Sequence, residues 1–244
     1  MCRIRYTQKS LWDLYGMSVE LPDKLTPVTK EDLIQAMWHA WVHYFGSVPT
    51  KESVWVVVAQ TWLETGLKYC HNYNLGNVKS REGDGFDYQF FACNEVLSAK
   101  QAQAMVEASP DTVKITRYQG NGMAVTWFYP KHPGCRFRAF GTLQEGAVDH
   151  LSLVAGRFSK AWPHVVSGDV IAYSKALKAQ RYYTADETTY TKGIKRCFDA
   201  LSKLDIDYTA LPTMTEEEVR KIKGLVALTQ QSLVDGLDLH SDES

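Results

Sequence analysis

Apolar residues recur at helical spacing at Leu33, Met37, Ala40, Trp41 and Tyr44, behind Thr29 as an N-cap and Glu31 and Asp32 in the first turn, and the run stops at Gly46. This predicts an amphipathic helix. The next run, SVWVVVAQTWLE, is apolar on nearly every side between Thr50-Lys51-Glu52 and Gly66. Its β-branched content would suit a strand, but a run of about a dozen residues bracketed by a cap and a glycine predicts a helix. A helix with no polar face is a buried one.

Between about residues 80 and 140 the pattern changes. REGDGFDYQFFACNEV and TVKITRYQGNGMAVTWFYP carry aromatic and β-branched residues broken by Gly-Asn-Gly, which predicts a small β-containing lobe, with SAKQAQAMVEAS as a short helix inside it. Helical spacing then resumes: Thr142 and Glu145 form a capping-box pair opening LQEGAVDHLSLVAGRF, and AYSKALKAQ and TKGIKRCFDALSKL follow. The prolines of LPDKLTP make residues 1–30 an extended N-terminal arm, and residues 204–244 read as an appended helix with an acidic tail. The main domain is therefore expected over residues 31–203.

With 244 residues, 45% of them hydrophobic, the chain can bury one substantial core. Lysine and arginine (27) nearly balance aspartate and glutamate (28), a net charge of -1 that argues against nucleic acid or an anionic membrane as partner. Five scattered cysteines without a CxxC pair suggest neither a disulfide framework nor a zinc knuckle, so a reduced, cytoplasm-made protein is expected. The N-terminus MCRIRYTQKSLWDLYG lacks the apolar core of a signal peptide, and no stretch reaches the roughly 18 apolar residues of a membrane span. No membrane insertion is expected, and action outside the cytoplasm would require delivery by another route.

The chemistry concentrates on Glu64. Its carboxylate follows Trp62 and Leu63 at the end of the buried helix, beside the negative pole of the helix dipole. Both surroundings disfavour the ionised form and push the pKa upward. A carboxyl group kept protonated near neutral pH is what a general acid needs to protonate a glycosidic oxygen; the plainer alternative is a solvated charge at a helix end. Behind it, Asn72, Asn74 and Asn77 supply amides suited to hydroxyl-rich or acetamido ligands, or simply tolerate left-handed turns. Trp127 and Phe128 are candidates for stacking on pyranose rings or for the core. His39 and His43 have zinc-helix spacing, but HAWVH lacks the glutamate of a metalloprotease, and adjacent Cys70 and His71 seldom face one another. No phosphate-binding glycine loop or GxSxG elbow is present.

AQTWLETG, NLGNVK, FRAF and RYYTADETTY, in this order, resemble the motifs of the peptidoglycan endo-β-N-acetylglucosaminidases of bacterial autolysins, flagellar muralytic domains and phage lysins. Gly76-Asn77-Val78-Lys79 replaces the family's Phe-Gly-Ile-Lys, Phe140 replaces a tyrosine, and Arg181 replaces a glycine, so Tyr182 or Tyr183 corresponds to the first tyrosine of the last motif and Tyr190 to its last. The resemblance implies an α+β, mainly α fold: a lysozyme-like helical domain with a small β-containing lobe flanking a substrate cleft. It implies hydrolysis of the β-1,4 bond between N-acetylglucosamine and N-acetylmuramic acid, with Glu64 as the acid, without metal or organic cofactor. Asn74, Asn77, Tyr182, Tyr190 and Trp127 would bind substrate. Among Glu82, Asp84, Asp87 and Glu95, Glu95 is the expected second carboxylate, because the strand-like FDYQFFAC before it would carry it rigidly. The partner would be the glycan strand, reached by a lysin, a virion component or an effector, with the terminal extensions available to a carrier or virion protein. A lytic transglycosylase and a non-catalytic glycan-binding or virion structural module are the alternatives.

Overall fold

In the computed structural model, which describes residues 18–211, the two helices expected from the first apolar runs are present with their caps. Helix α1 (Lys30–Phe45) starts where the Thr29 hydroxyl accepts the Asp32 N–H at 3.0 Å, and ends at Gly46, whose φ of +60° is the left-handed conformation glycine adopts at little cost. Leu33, Met37, Ala40 and Trp41 are buried, whereas Tyr44 is exposed and packs edge-on against Phe45. Helix α2 (Lys51–Thr65) is capped by Thr50 and Gly66, and everything from Ser53 to Thr61 is buried.

These helices belong to one of two compact units, whose described residues are Val28–Leu67 and those from Leu143 to Leu211. In it α2 is surrounded by α1, α5 (Trp162–Val166) and α7 (Glu187–Leu201); α4 (Leu143–Gly156) lies on α1, and α6 (Val170–Ala179) on α7. The short α5, which periodicity did not reveal, presents Trp162 to stack on Trp41 and Phe45 with ring centroids 4.9 and 4.7 Å apart. The expected boundary at residue 203 is displaced: Tyr208 accepts the Trp55 Nε1–H at 2.7 Å and packs on Trp38, so residues up to Leu211 close over α1 and α2. The expected appended helix and acidic tail lie outside the described residues.

The described residues of the other unit are those from Ser18 to Pro27 and Lys68–Thr142. Strands β2 (Cys93–Ser98), β4 (Met123–Phe128) and β3 (Val113–Tyr118) form an antiparallel sheet in the order β2-β4-β3, with α3 (Ala99–Ala108) packed on it behind a Ser98–Gln101 capping box. Strands β1 (Tyr88–Phe90) and β5 (Arg136–Arg138) pair separately. Residues 18–27 are extended, as the prolines predict, but they are not a free arm. Leu21 N–H donates to Tyr88 O, Thr26 N–H to Cys70 O and Asn72 N–H to Lys24 O, all at 2.7–2.8 Å. The β-containing unit therefore begins well before residue 80.

Buried amides hold this unit where strands are short. Gln89, fully buried, donates from Nε2 to the carbonyls of His71 and Arg138 at 2.8 and 3.0 Å, and accepts from Asn72 Nδ2 at 2.9 Å. Leucine in its place would remove three buried hydrogen bonds at once, leaving the His71 and Arg138 carbonyls only their bonds from Asn74 and the Asn72 amide only its bond to Pro22 O. Gln89→Leu is therefore expected to destabilise the fold by about 2–4 kcal/mol. Chemical denaturation checks this, and a loss near zero would contradict it.

Candidate active site

Glu64 lies on the last turn of α2, one turn after Gln60 and on the same face. It is partly exposed, and its Oε1 accepts the Tyr190 hydroxyl at 2.7 Å. Tyr190 reaches it because α7 packs on α2 at Gly193, where a Cβ would sit only 3.0 Å from Leu63 Cδ1. Burial raises the Glu64 pKa, and the Tyr190 hydrogen bond, which favours the carboxylate, partly opposes it.

Around this pair stands a group of phenols. Tyr183 stacks face to face on Tyr190, centroids 3.7 Å apart, and its hydroxyl donates to Ser174 O at 3.2 Å. Tyr173, fully buried, donates to Gln60 Oε1, and Tyr182 packs edge-on against Phe158. Burial foremost, then the neighbouring Glu64 charge, raises the pKa of Tyr182 and Tyr190. Tyr173 is raised by burial, by Tyr182 and by Glu64. All three therefore remain neutral donors at physiological pH. Gln60 also hydrogen-bonds Tyr182, which partly opposes the rise in that phenol's pKa, and Thr61 Oγ1 is buried without a hydrogen-bond partner.

Glu64, Tyr182 and Tyr190 thus belong to the helical unit, and the other expected site residues to the β-containing unit. Buried Tyr190 holds Glu64 and stacks on Tyr183, rather than presenting a free ring to a ligand. Asn74 is also corrected: fully buried, it donates to Val78 O and Arg138 O at 2.9 and 3.0 Å and accepts the Val78 N–H at 2.8 Å, so its amide shapes the loop and is spent there. Asn72 (φ +41°), Tyr73 (+51°) and Asn77 (+48°) give this loop a left-handed backbone at three non-glycine positions. Trp127 is partly exposed on β4, with Tyr129 offset-stacked at 6.3 Å, while Phe128 is in the core.

Glu95 sits on the edge strand β2, exposed, with Oε1 3.8 Å from Lys79 Nζ. Asp84 accepts the Arg81 and Phe86 N–H groups at 2.9 and 3.1 Å and so serves its own loop, whereas Asp87 accepts Val19 N–H at 2.8 Å and so ties down the extended segment before Pro27. Glu82 is an exposed loop residue. His39 is partly exposed on α1, where burial lowers its pKa, and His43 is exposed. His71 stacks on Phe91. Among the described residues no cluster of three potential metal ligands occurs, and no helix is long and apolar enough to cross a membrane.

Sequence reasoning missed Gln60 and Tyr173. A lone glutamine in an otherwise apolar helix, four residues before the key acid, was the available signal for Gln60; nothing local marks Tyr173. Compared with models of protein families, with characterised proteins and with solved structures, the chain matches none.

The raised pKa of Glu64 has a thermodynamic consequence. Above its ordinary pKa of 4.5, Glu64 holds in the folded chain a proton that the unfolded chain releases, so stability falls as pH rises from that value through the folded pKa. Relative to Glu64→Gln, the wild type is expected to lose ground across that window by up to about 1.4 kcal/mol per pH unit, then level off. Thermal unfolding of both proteins as a function of pH checks this; a constant difference would contradict it.

Proposed function

We propose that this chain cleaves the β-1,4 glycosidic bond between N-acetylglucosamine and N-acetylmuramic acid in peptidoglycan, with Glu64 as general acid. The observation that carries the reading is the desolvated Glu64 carboxyl, gripped at Oε1 by Tyr190 at the end of a buried helix. Such a group stays protonated long enough to donate to a leaving glycosidic oxygen. The motif resemblance supports the substrate. Arg181, standing where the family pattern has glycine, adopts φ +60°, the conformation glycine favours, which aligns Tyr182 with the motif's first tyrosine. On this reading the helical unit is the lysozyme-like part of the fold, and the enzyme acts on the wall after release or injection.

The second carboxylate remains Glu95 in this proposal, activating water or stabilising the oxocarbenium ion. The engagement of Asp84 and Asp87 with backbone N–H groups, and of Glu95 with Lys79, favours one alternative over the others. A lytic transglycosylase needs a single acid, because a hydroxyl of the substrate itself attacks the anomeric carbon. Its anhydro product is lighter than the hydrolytic product by one water, which mass spectrometry of digested sacculi resolves.

Glu64→Gln is expected to slow release of soluble fragments from purified sacculi by about 100-fold or more; full activity in that variant would overturn the assignment. Tyr190→Phe removes the donor that favours ionisation, so the Glu64 pKa rises further. The alkaline limb of the pH–rate profile is expected to move to higher pH. A limb that stays in place, or moves down, would contradict the role given to Tyr190.

A further inference from the structure

We propose that Cys93 and Cys135 are a thiol pair that closes to an intramolecular disulfide on meeting a small disulfide oxidant, with Lys79 assisting the first exchange. The cysteine spacing gives no hint of this, since 41 residues separate the two positions in the sequence. The fold brings them together: Cys93 opens β2, Cys135 ends the 3-10 turn Pro133–Cys135, and both belong to the apolar cluster around Val113 and Phe128. The Cys135 thiol is hydrogen-bonded to Cys93, whose own thiol donates to Gly134 O at 3.4 Å.

The two sulfurs differ in what can reach them. Cys93 is partly exposed and Cys135 fully buried, so an oxidant meets Cys93 first. Lys79 Nζ donates to Cys93 Sγ at 3.3 Å and to Gly134 O, while Glu95 lies 3.8 Å from the same ammonium. A cation in hydrogen-bond contact stabilises negative charge on the sulfur it touches. Burial, then the charge and hydrogen bond of Cys93, push the Cys135 thiol up to about 12. The Cys93 influence ends once that sulfur is covalently capped, and the Cys93 N–H and Lys79 still favour a Cys135 thiolate.

With oxidised glutathione the steps balance. Deprotonated Cys93 attacks one glutathione sulfur, the glutathione S–S bond breaks, and one glutathione leaves as thiolate to take up a proton. Deprotonated Cys135 then attacks Cys93 Sγ, and the second glutathione leaves likewise. Two protein thiols are oxidised and one glutathione disulfide is reduced to two thiols. The product ties the edge strand carrying Glu95 to the turn before β5. The other described cysteines are placed differently: Cys70 is buried beside Thr26, and Cys197 lies on α7 in the helical unit.

The test uses the reduced, full-length, native chain and oxidised glutathione, with free thiols counted and peptides mapped without reduction. The expected result is loss of two of the five thiols and a linked peptide pair containing Cys93 and Cys135. Cys135→Ser should stop at one glutathione on Cys93, and Lys79→Met should slow thiol loss by about threefold or more. Retention of all five thiols, a stable glutathione adduct on wild-type Cys93, or pairing through Cys2, Cys70 or Cys197 would overturn the proposal. Mapping on the wild type needs no variant to fold.

Discussion

A polar atom carried into the interior by a largely buried helix costs free energy unless it finds a partner. Helix α2 is such an element, and its last two turns carry Gln60, Thr61, Glu64 and Thr65. Thr65 turns its hydroxyl to Thr61 O, Gln60 takes the Tyr173 hydroxyl, and Glu64 takes that of Tyr190. Tyr173 comes from α6 and Tyr190 from α7, so the demands of one helix fix how two others dock. The proposed acid is thus tied into the packing of the helical unit, and its pKa and the stability of that unit are coupled.

The β-containing unit meets the same constraint differently. Its sheets have two and three strands, short enough that pairing alone leaves much backbone unmet. Gln89, Asn72 and Asn74 supply side-chain amides to loop carbonyls, and the extended residues 18–27 contribute backbone bonds. The asparagines that look like a sugar-binding loop in the sequence are therefore partly the scaffold of that loop.

What was legible follows from the range of the physics. Caps and stops at Thr29, Gly46, Thr50 and Gly66 are local, and α1 and α2 could be bounded from them. The Gly-Asn-Gly break marked a β-containing lobe, and in the structure it falls between the paired strands β3 and β4. Glu64 was readable because its apolar neighbours and the helix end are adjacent in sequence. Tyr190 was readable only as part of a motif, and its contact with Glu64 spans 126 positions. The pairing of residues 18–27, the docking of Tyr208 and the meeting of Cys93 with Cys135 depend on tertiary contacts that no local pattern encodes. The prolines of LPDKLTP correctly announced extended backbone but were silent about its partner.

Burial raises the Glu64 pKa while Tyr190 fixes the orientation of its carboxyl. A carbon-13 NMR titration of the Glu64 carboxyl in the folded protein tests it most directly. The expected midpoint lies clearly above the ordinary 4.5 of a glutamate. A midpoint at or below that value would show an ordinary solvated carboxylate and contradict it.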